Sequence, residues 1–169
     1  IDYIKEHELE LSFDPEGTHV IQKIISCFQE KERQSLTNIL CIHENLNALC
    51  QDAKGMCVVK KLIGCTKDIN NKILIINGVY SHCLEIAQSP YGNYIIQYLF
   101  EEWDINICQK LIQSCVDNSE LFAMQKYSSN IIVKIMELYS DTILQNGDEN
   151  FVQQLKKIFF NEKKMLNFY

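Results

Sequence analysis

The sequence predicts an all-α protein, an α-solenoid in which three-helix units stack into a curved superhelix. Two observations predict it. A fifteen-residue pattern recurs four times, as LSFDPEGTHVIQKII from Leu11, LCQDAKGMCVVKKLI from Leu49, IAQSPYGNYIIQYLF from Ile86 and FAMQKYSSNIIVKIM from Phe122. The starts lie 38, 37 and 36 residues apart (49−11, 86−49, 122−86), and self-similarity at such a period marks a stacked array. Each copy also carries apolar residues spaced for one stripe of a 3.6-residue helix, while no segment keeps the alternation of a strand. A unit of this length cannot bury its stripe alone, so neighbouring units must supply the core between them.

The elements follow in order. In the first copy a helix is expected to end near Phe13, at a turn containing Pro15 and Gly17. Proline disfavours continuation of the first helix, and glycine suits a residue that must leave helical backbone angles between two helices. A second helix then carries Val20, Ile21, Ile24 and Ile25 on one face. Leu36, Ile39 and Leu40 mark the next helix, after which the pattern repeats: an end near Gln51, a turn at Gly55, and a stripe of Val58, Val59, Leu62 and Ile63. The third copy ends its first helix near Gln88, turns at Pro90 and Gly92, and continues with Ile95, Ile96, Leu99 and Phe100. Leu111, Ile112 and Cys115 then precede an end near Met124, a turn at Ser128, and Ile131, Ile132, Ile135 and Met136. A last amphipathic run holds Val152, Leu155, Ile158 and Phe159. The chain therefore divides into units at about 1–33, 34–69, 70–104 and 105–140 of one array over 1–169, with 141–169 opening a further unit. Neither end has the polar outer face of a capping repeat, so the array is expected to be part of a longer one.

If the second helices line up side by side, the residues that their packing leaves over form one surface. They fall into four trios: Thr18, His19 and Gln22; Met56, Cys57 and Lys60; Asn93, Tyr94 and Gln97; Ser129, Asn130 and Val133. The first and third of each trio are one turn apart on the same side of the helix. Asn93 with Gln97 brings donors and acceptors to one plane, with the ring of Tyr94 beside them. That combination suits one base edge and one base face. Taken singly, each residue is an ordinary solvated helix residue, and the repetition is what singles it out.

The segments GTHVIQK, GNYIIQY and SSNIIVK closely resemble the specificity helices of Pumilio-family (PUF) RNA-binding repeats, which read one base per helical repeat. The resemblance implies a right-handed crescent of eight repeats with single-stranded RNA running antiparallel along the concave face. The order of the motifs resembles repeats four to seven. It implies RNA contacts by the four trios, with Asn93 and Gln97 selecting uracil and Tyr94 stacking on it. Two copies depart from the family pattern. Val133 stands where a glutamate usually accepts from guanine, so guanine selection is not expected there. Lys60 stands where glutamine is usual, and Met56 with Cys57 offers little polar edge, so that copy is expected to read weakly. The family further implies a cytoplasmic regulator of messenger RNA translation or decay, with room for protein effectors on the convex face, no cofactor and a monomeric state. The alternative is a helical-repeat scaffold for proteins that has drifted from RNA.

The net charge is −6 over 169 residues, which opposes polyphosphate binding. The distribution is more favourable: segments 18–25, 56–63, 93–100 and 129–136 hold Lys23, Lys60, Lys61 and Lys134 but no acid, so acidic charge is expected off the RNA face. Eight cysteines form no C-x-x-C pair, and Cys41-Ile42-His43 lacks a second ligand pair, so no metal site is expected. They read as small buried hydrophobes of a reducing compartment. A Cys57–His19 dyad would lack an orienting acid and an oxyanion donor, so no catalytic residues are expected. No apolar run approaches the roughly 18 residues of a membrane span, and IDYIKEHELE is too charged for a signal peptide.

Overall fold

The computed structural model describes residues 6–146. Among them every regular element is a helix: α1 (Glu8–Phe13), α2 (Gly17–Cys27), α3 (Gln34–Leu40), α4 (His43–Gln51), α5 (Gly55–Cys65), α6 (Ile69–Ser81), α7 (Cys83–Gln88), α8 (Gly92–Glu102), α9 (Ile105–Asp117), α10 (Ser119–Ala123) and α11 (Ser129–Asn146). Helices α1, α4 and α7 stop where the sequence places their ends, and α10 stops one residue before Met124. The run from Val152 to Phe159 and the further unit expected from it lie outside the described residues, while α11 continues through residue 140.

The helices stack as a solenoid. Helix α2 packs on α5, α5 on α8 and α8 on α11; α1, α4 and α7 form a second row, and α6 pairs with α9 in a third. The stripes meet between successive second helices, where Ile21, Ile25, Val58, Val59, Leu62, Ile63, Ile95, Ile96, Leu99, Ile131 and Ile135 are fully buried. Each such side chain stabilises the stack by roughly 1.5–3 kcal/mol relative to exposure. Two members of the expected stripe are exposed, Val20 at 43% and Met136 at 45%, and Ile24 is half-buried. The reason is position, since among the described residues α2 and α11 have a second helix on one side only.

Polar ties one repeat apart lock the register. Gln34 and Asn71 exchange amide hydrogen bonds of 2.8 and 3.1 Å. Glu30 accepts from the backbone N–H groups of Lys67 and Asp68 at the start of α6. Buried Arg33 donates to the Cys65 carbonyl at 2.9 Å, at the end of α5, where a cation also suits the helix dipole.

The glycine column has a different cause from the one expected. Gly17, Gly55 and Gly92 lie inside the helices they open, with no left-handed backbone angle. What they provide is close approach: a Cβ on Gly17 would stand 2.8 Å from the Leu11 carbonyl oxygen, and one on Gly55 2.6 Å from that of Leu49. Gly92 meets the Ile86 carbonyl in the same way. In the fourth copy Ser128 occupies the column, fully buried, and its hydroxyl donates to the equivalent carbonyl, Phe122, at 3.1 Å. The turns themselves are held by a second column. Asp14, Asp52 and Ser89 sit in extended backbone and accept from the N–H groups two and three residues on, which anchors the helix start.

Candidate nucleic-acid interface

Because the second helices stack side by side, equivalent positions of the four trios form three lines across them. The middle line, His19, Cys57, Tyr94 and Asn130, is exposed throughout, with Tyr94 51% accessible. The flanking lines are less open. Thr18 and Asn93 are buried, Met56 and Ser129 half-buried; Gln22, Lys60 and Gln97 are half-buried, and Val133 is 54% exposed.

Two trios are internally ordered. Gln22 Nε2 donates to Thr18 Oγ1 at 3.1 Å, and the Thr18 hydroxyl reaches the Lys54 carbonyl of the next copy at 3.5 Å. Asn93 Nδ2 donates to the carbonyls of Ser89 and Pro90 at 2.9 and 3.2 Å. Since a carbonyl can only accept, these bonds fix the orientation of the Asn93 amide. Its Oδ1 then accepts from Gln97 Nε2 at 3.0 Å, with the Asn93 backbone oxygen a second acceptor at 3.3 Å. The amide donors of Gln97 are thus turned into the protein, and its Oε1 is the group left for an outside donor. Asn93 acts here as the support that orients Gln97, rather than as an open polar edge.

The other two trios lack such a pair. Met56 has no hydrogen-bonding group, and the exposed Cys57 thiol donates weakly to the Ala53 carbonyl at 3.5 Å. Lys60 Nζ lies 4.6 Å from the ring centroid of Tyr98 on the neighbouring helix. Ser129 turns its hydroxyl back to the Lys126 carbonyl at 3.4 Å, and Val133 presents only methyl groups.

The acid-free segments do not make an acid-free face. Lys134 pairs with Glu101 at 2.7 Å and with Glu137 at 3.5 Å, and the Glu101 carboxylate holds its ammonium above the usual lysine range. Glu101 stands one residue past the segment 93–100, which is why counting charges within the segments missed it. Of the four lysines there, Lys23 and Lys61 remain exposed while Lys60 and Lys134 are engaged. Sequence reasoning also passed over Tyr98, whose signal was that the other copies carry lysine in its place. The capping column escaped it as well, although D-x-x-G or S-x-x-G before the first three second helices marks it.

The cysteines are free thiols, with Cys41, Cys50, Cys83, Cys108 and Cys115 buried and Cys27 and Cys57 exposed. Burial pushes the Cys41 and Cys108 thiols up to about 12, so they stay protonated at neutral pH. Among the described residues no helix is long and apolar enough to cross a membrane.

Residues 7–41 and 82–114 match the model of the Pumilio-family RNA binding repeat. In sequence and in fold this chain is similar to Pumilio-family proteins. It is 27% identical to Pumilio homolog 12 of Arabidopsis thaliana over 149 residues, covering 83% of this chain and 23% of that relative. Among solved structures, PUF-8 in complex with PBE-RNA is similar with a TM-score of 0.73 and 26% identity, covering 80% of this chain and 39% of that one. The RNA-binding domain of yeast Puf5p bound to AAT2 RNA has the same fold, with a TM-score of 0.79 at 22% identity, over 95% of this chain and 45% of that one. This chain thus spans less than a quarter of the curated relative and less than half of either solved chain.

Proposed function

We propose that this chain binds single-stranded RNA along the row formed by α2, α5, α8 and α11, each unit presenting one trio to one nucleotide. The observation that carries the reading is the exposed middle line, which continues over four stacked helices and is flanked in two copies by a hydrogen-bonded polar pair. An exposed ring such as Tyr94 can stack on any base, whereas an oriented amide discriminates between base edges. Thr18, His19 and Gln22 form one such reader; Asn93, Tyr94 and Gln97 form the other. Met56, Cys57 and Lys60, and Ser129, Asn130 and Val133, contact RNA with little selectivity. The role that follows is post-transcriptional control of messenger RNA in the cytoplasm, by binding rather than by catalysis.

Two ordered trios and a net charge of −6 imply modest affinity, with a dissociation constant of about 10 µM or weaker at physiological salt once ordering costs are subtracted. Fluorescence-anisotropy titration against short RNAs, each varied through the four bases at one nucleotide, tests the reading. Saturable binding whose strength depends on base identity supports it. Equal binding to every RNA, or none at millimolar concentration, would instead favour a protein scaffold.

A further inference from the structure

The seams between second helices repeat one contact with different residues. On the last described seam Lys134 of α11 reaches back to Glu101 of α8 at 2.7 Å. One seam earlier the equivalent residues are Tyr98 of α8 and Gly64 of α5. A Cβ added at Gly64 would stand 3.1 Å from the Tyr98 hydroxyl oxygen, so the missing side chain gives the ring room to lie across α5. Lys60 is one turn before Gly64 on the same side of α5, and its ammonium is 4.6 Å from the Tyr98 ring centroid. The face of an aromatic ring attracts a cation, and the Tyr98 ring offers its face to Lys60 across the seam. The ammonium therefore rests over the seam between α5 and α8 and not above Met56, its partner in the trio. A strand that gives one base to each helix passes its sugar–phosphate across that seam, and an ammonium, with three donors and no acceptor, suits a phosphate oxygen.

We propose that Tyr98 is a positioning residue for RNA recognition: it draws Lys60 off the base edge of its own copy and holds its charge for the phosphate between α5 and α8, leaving the nucleotide opposite α5 unselected. This rests on the RNA reading above. It assigns a role to a residue outside the four trios.

The test uses the same set of singly varied RNAs, titrated at several salt concentrations against the wild-type chain, Tyr98→Leu, Tyr98→Phe and Lys60→Met. In the wild type the nucleotide opposite α5 is expected to tolerate all four bases within about twofold, while the nucleotides opposite α2 and α8 discriminate. Tyr98→Leu releases Lys60 toward base acceptors and is expected to create a guanine preference of about fivefold at that one nucleotide. Tyr98→Phe keeps the ring and is expected to match the wild type. Lys60→Met is expected to weaken all RNAs equally and to lower the slope of log affinity against log salt by about 0.7, the loss of one single-strand phosphate contact. The inference is overturned if the wild type selects a base opposite α5, if Tyr98→Leu leaves the profile unchanged, or if Lys60→Met leaves the salt slope intact. A profile flat at every nucleotide refutes the RNA reading itself, and with it the inference; selectivity opposite α2 and α8 alongside any of those three results refutes the inference alone.

Discussion

Helices α2 and α8 differ from α5 and α11 in how they use the same two places one turn apart. In the first pair the residues bond to each other, Gln22 to Thr18 at 3.1 Å and Gln97 to Asn93 at 3.0 Å. In the second pair they bond to nothing across the turn, and the nearby charges are spent sideways, Lys60 on Tyr98 and Lys134 on Glu101. An amide held by a neighbour loses little freedom when a base arrives, so its hydrogen bond can discriminate. An unsupported place contributes surface alone. One scaffold thus carries two oriented side-chain pairs separated by a step that lacks one.

The largest expected effect concerns the turns, where three copies carry glycine and the fourth serine. Gly92→Ala is expected to cost about 3 kcal/mol of stability in urea denaturation, because its Cβ meets backbone that cannot yield. Ser128→Ala already has room for the Cβ and is expected to cost only about 1 kcal/mol, the loss of one buried hydrogen bond. Equal costs would mean that the fourth turn is not relaxed relative to the others.

Stacking separates the two kinds of reader next. Tyr94→Ala is expected to weaken binding to every RNA by about 2 kcal/mol, whereas Cys57→Ala should change it by less than about 0.5 kcal/mol. Base choice follows: Asn93→Ser with Gln97→Glu should move the preference opposite α8 from uracil to guanine by about 1.5 kcal/mol, since a carboxylate accepts from guanine's donor edge. Val133→Glu should add the same preference opposite α11, where none exists. If the double change leaves the preference untouched, those two residues are not the readers. The smallest effect belongs to the Lys134–Glu101 pair. Glu101→Gln should alter stability by less than about 1 kcal/mol, as for other partly exposed ion pairs, while tightening all RNAs slightly by releasing Lys134.

Much of this was legible in the sequence because repetition averages out local ambiguity. The fifteen-residue pattern located the ends of α1, α4 and α7 at Phe13, Gln51 and Gln88, and the stripe positions identified the buried row. The glycine column was visible, but a sequence cannot distinguish a residue needed for its backbone angles from one needed for its missing Cβ. Asn93 looked like an open edge because the carbonyls of Ser89 and Pro90, which occupy its donors, carry no side-chain signal. The contacts of Lys60 with Tyr98 and of Lys134 with Glu101 join residues about a repeat apart, so neither shows in any single copy. Val20 and Met136 fit the stripe and failed to bury because burial depends on a neighbour, not on the residue.

The central claim is that the bonded pairs read and the unbonded ones do not. Replacing the last residue of each trio by alanine, one at a time, and titrating each variant against the singly varied RNAs addresses it most directly. Gln22→Ala and Gln97→Ala are predicted to lose about tenfold of base discrimination at their own nucleotides, while Lys60→Ala and Val133→Ala lose none. A comparable loss of discrimination in all four variants would contradict the account.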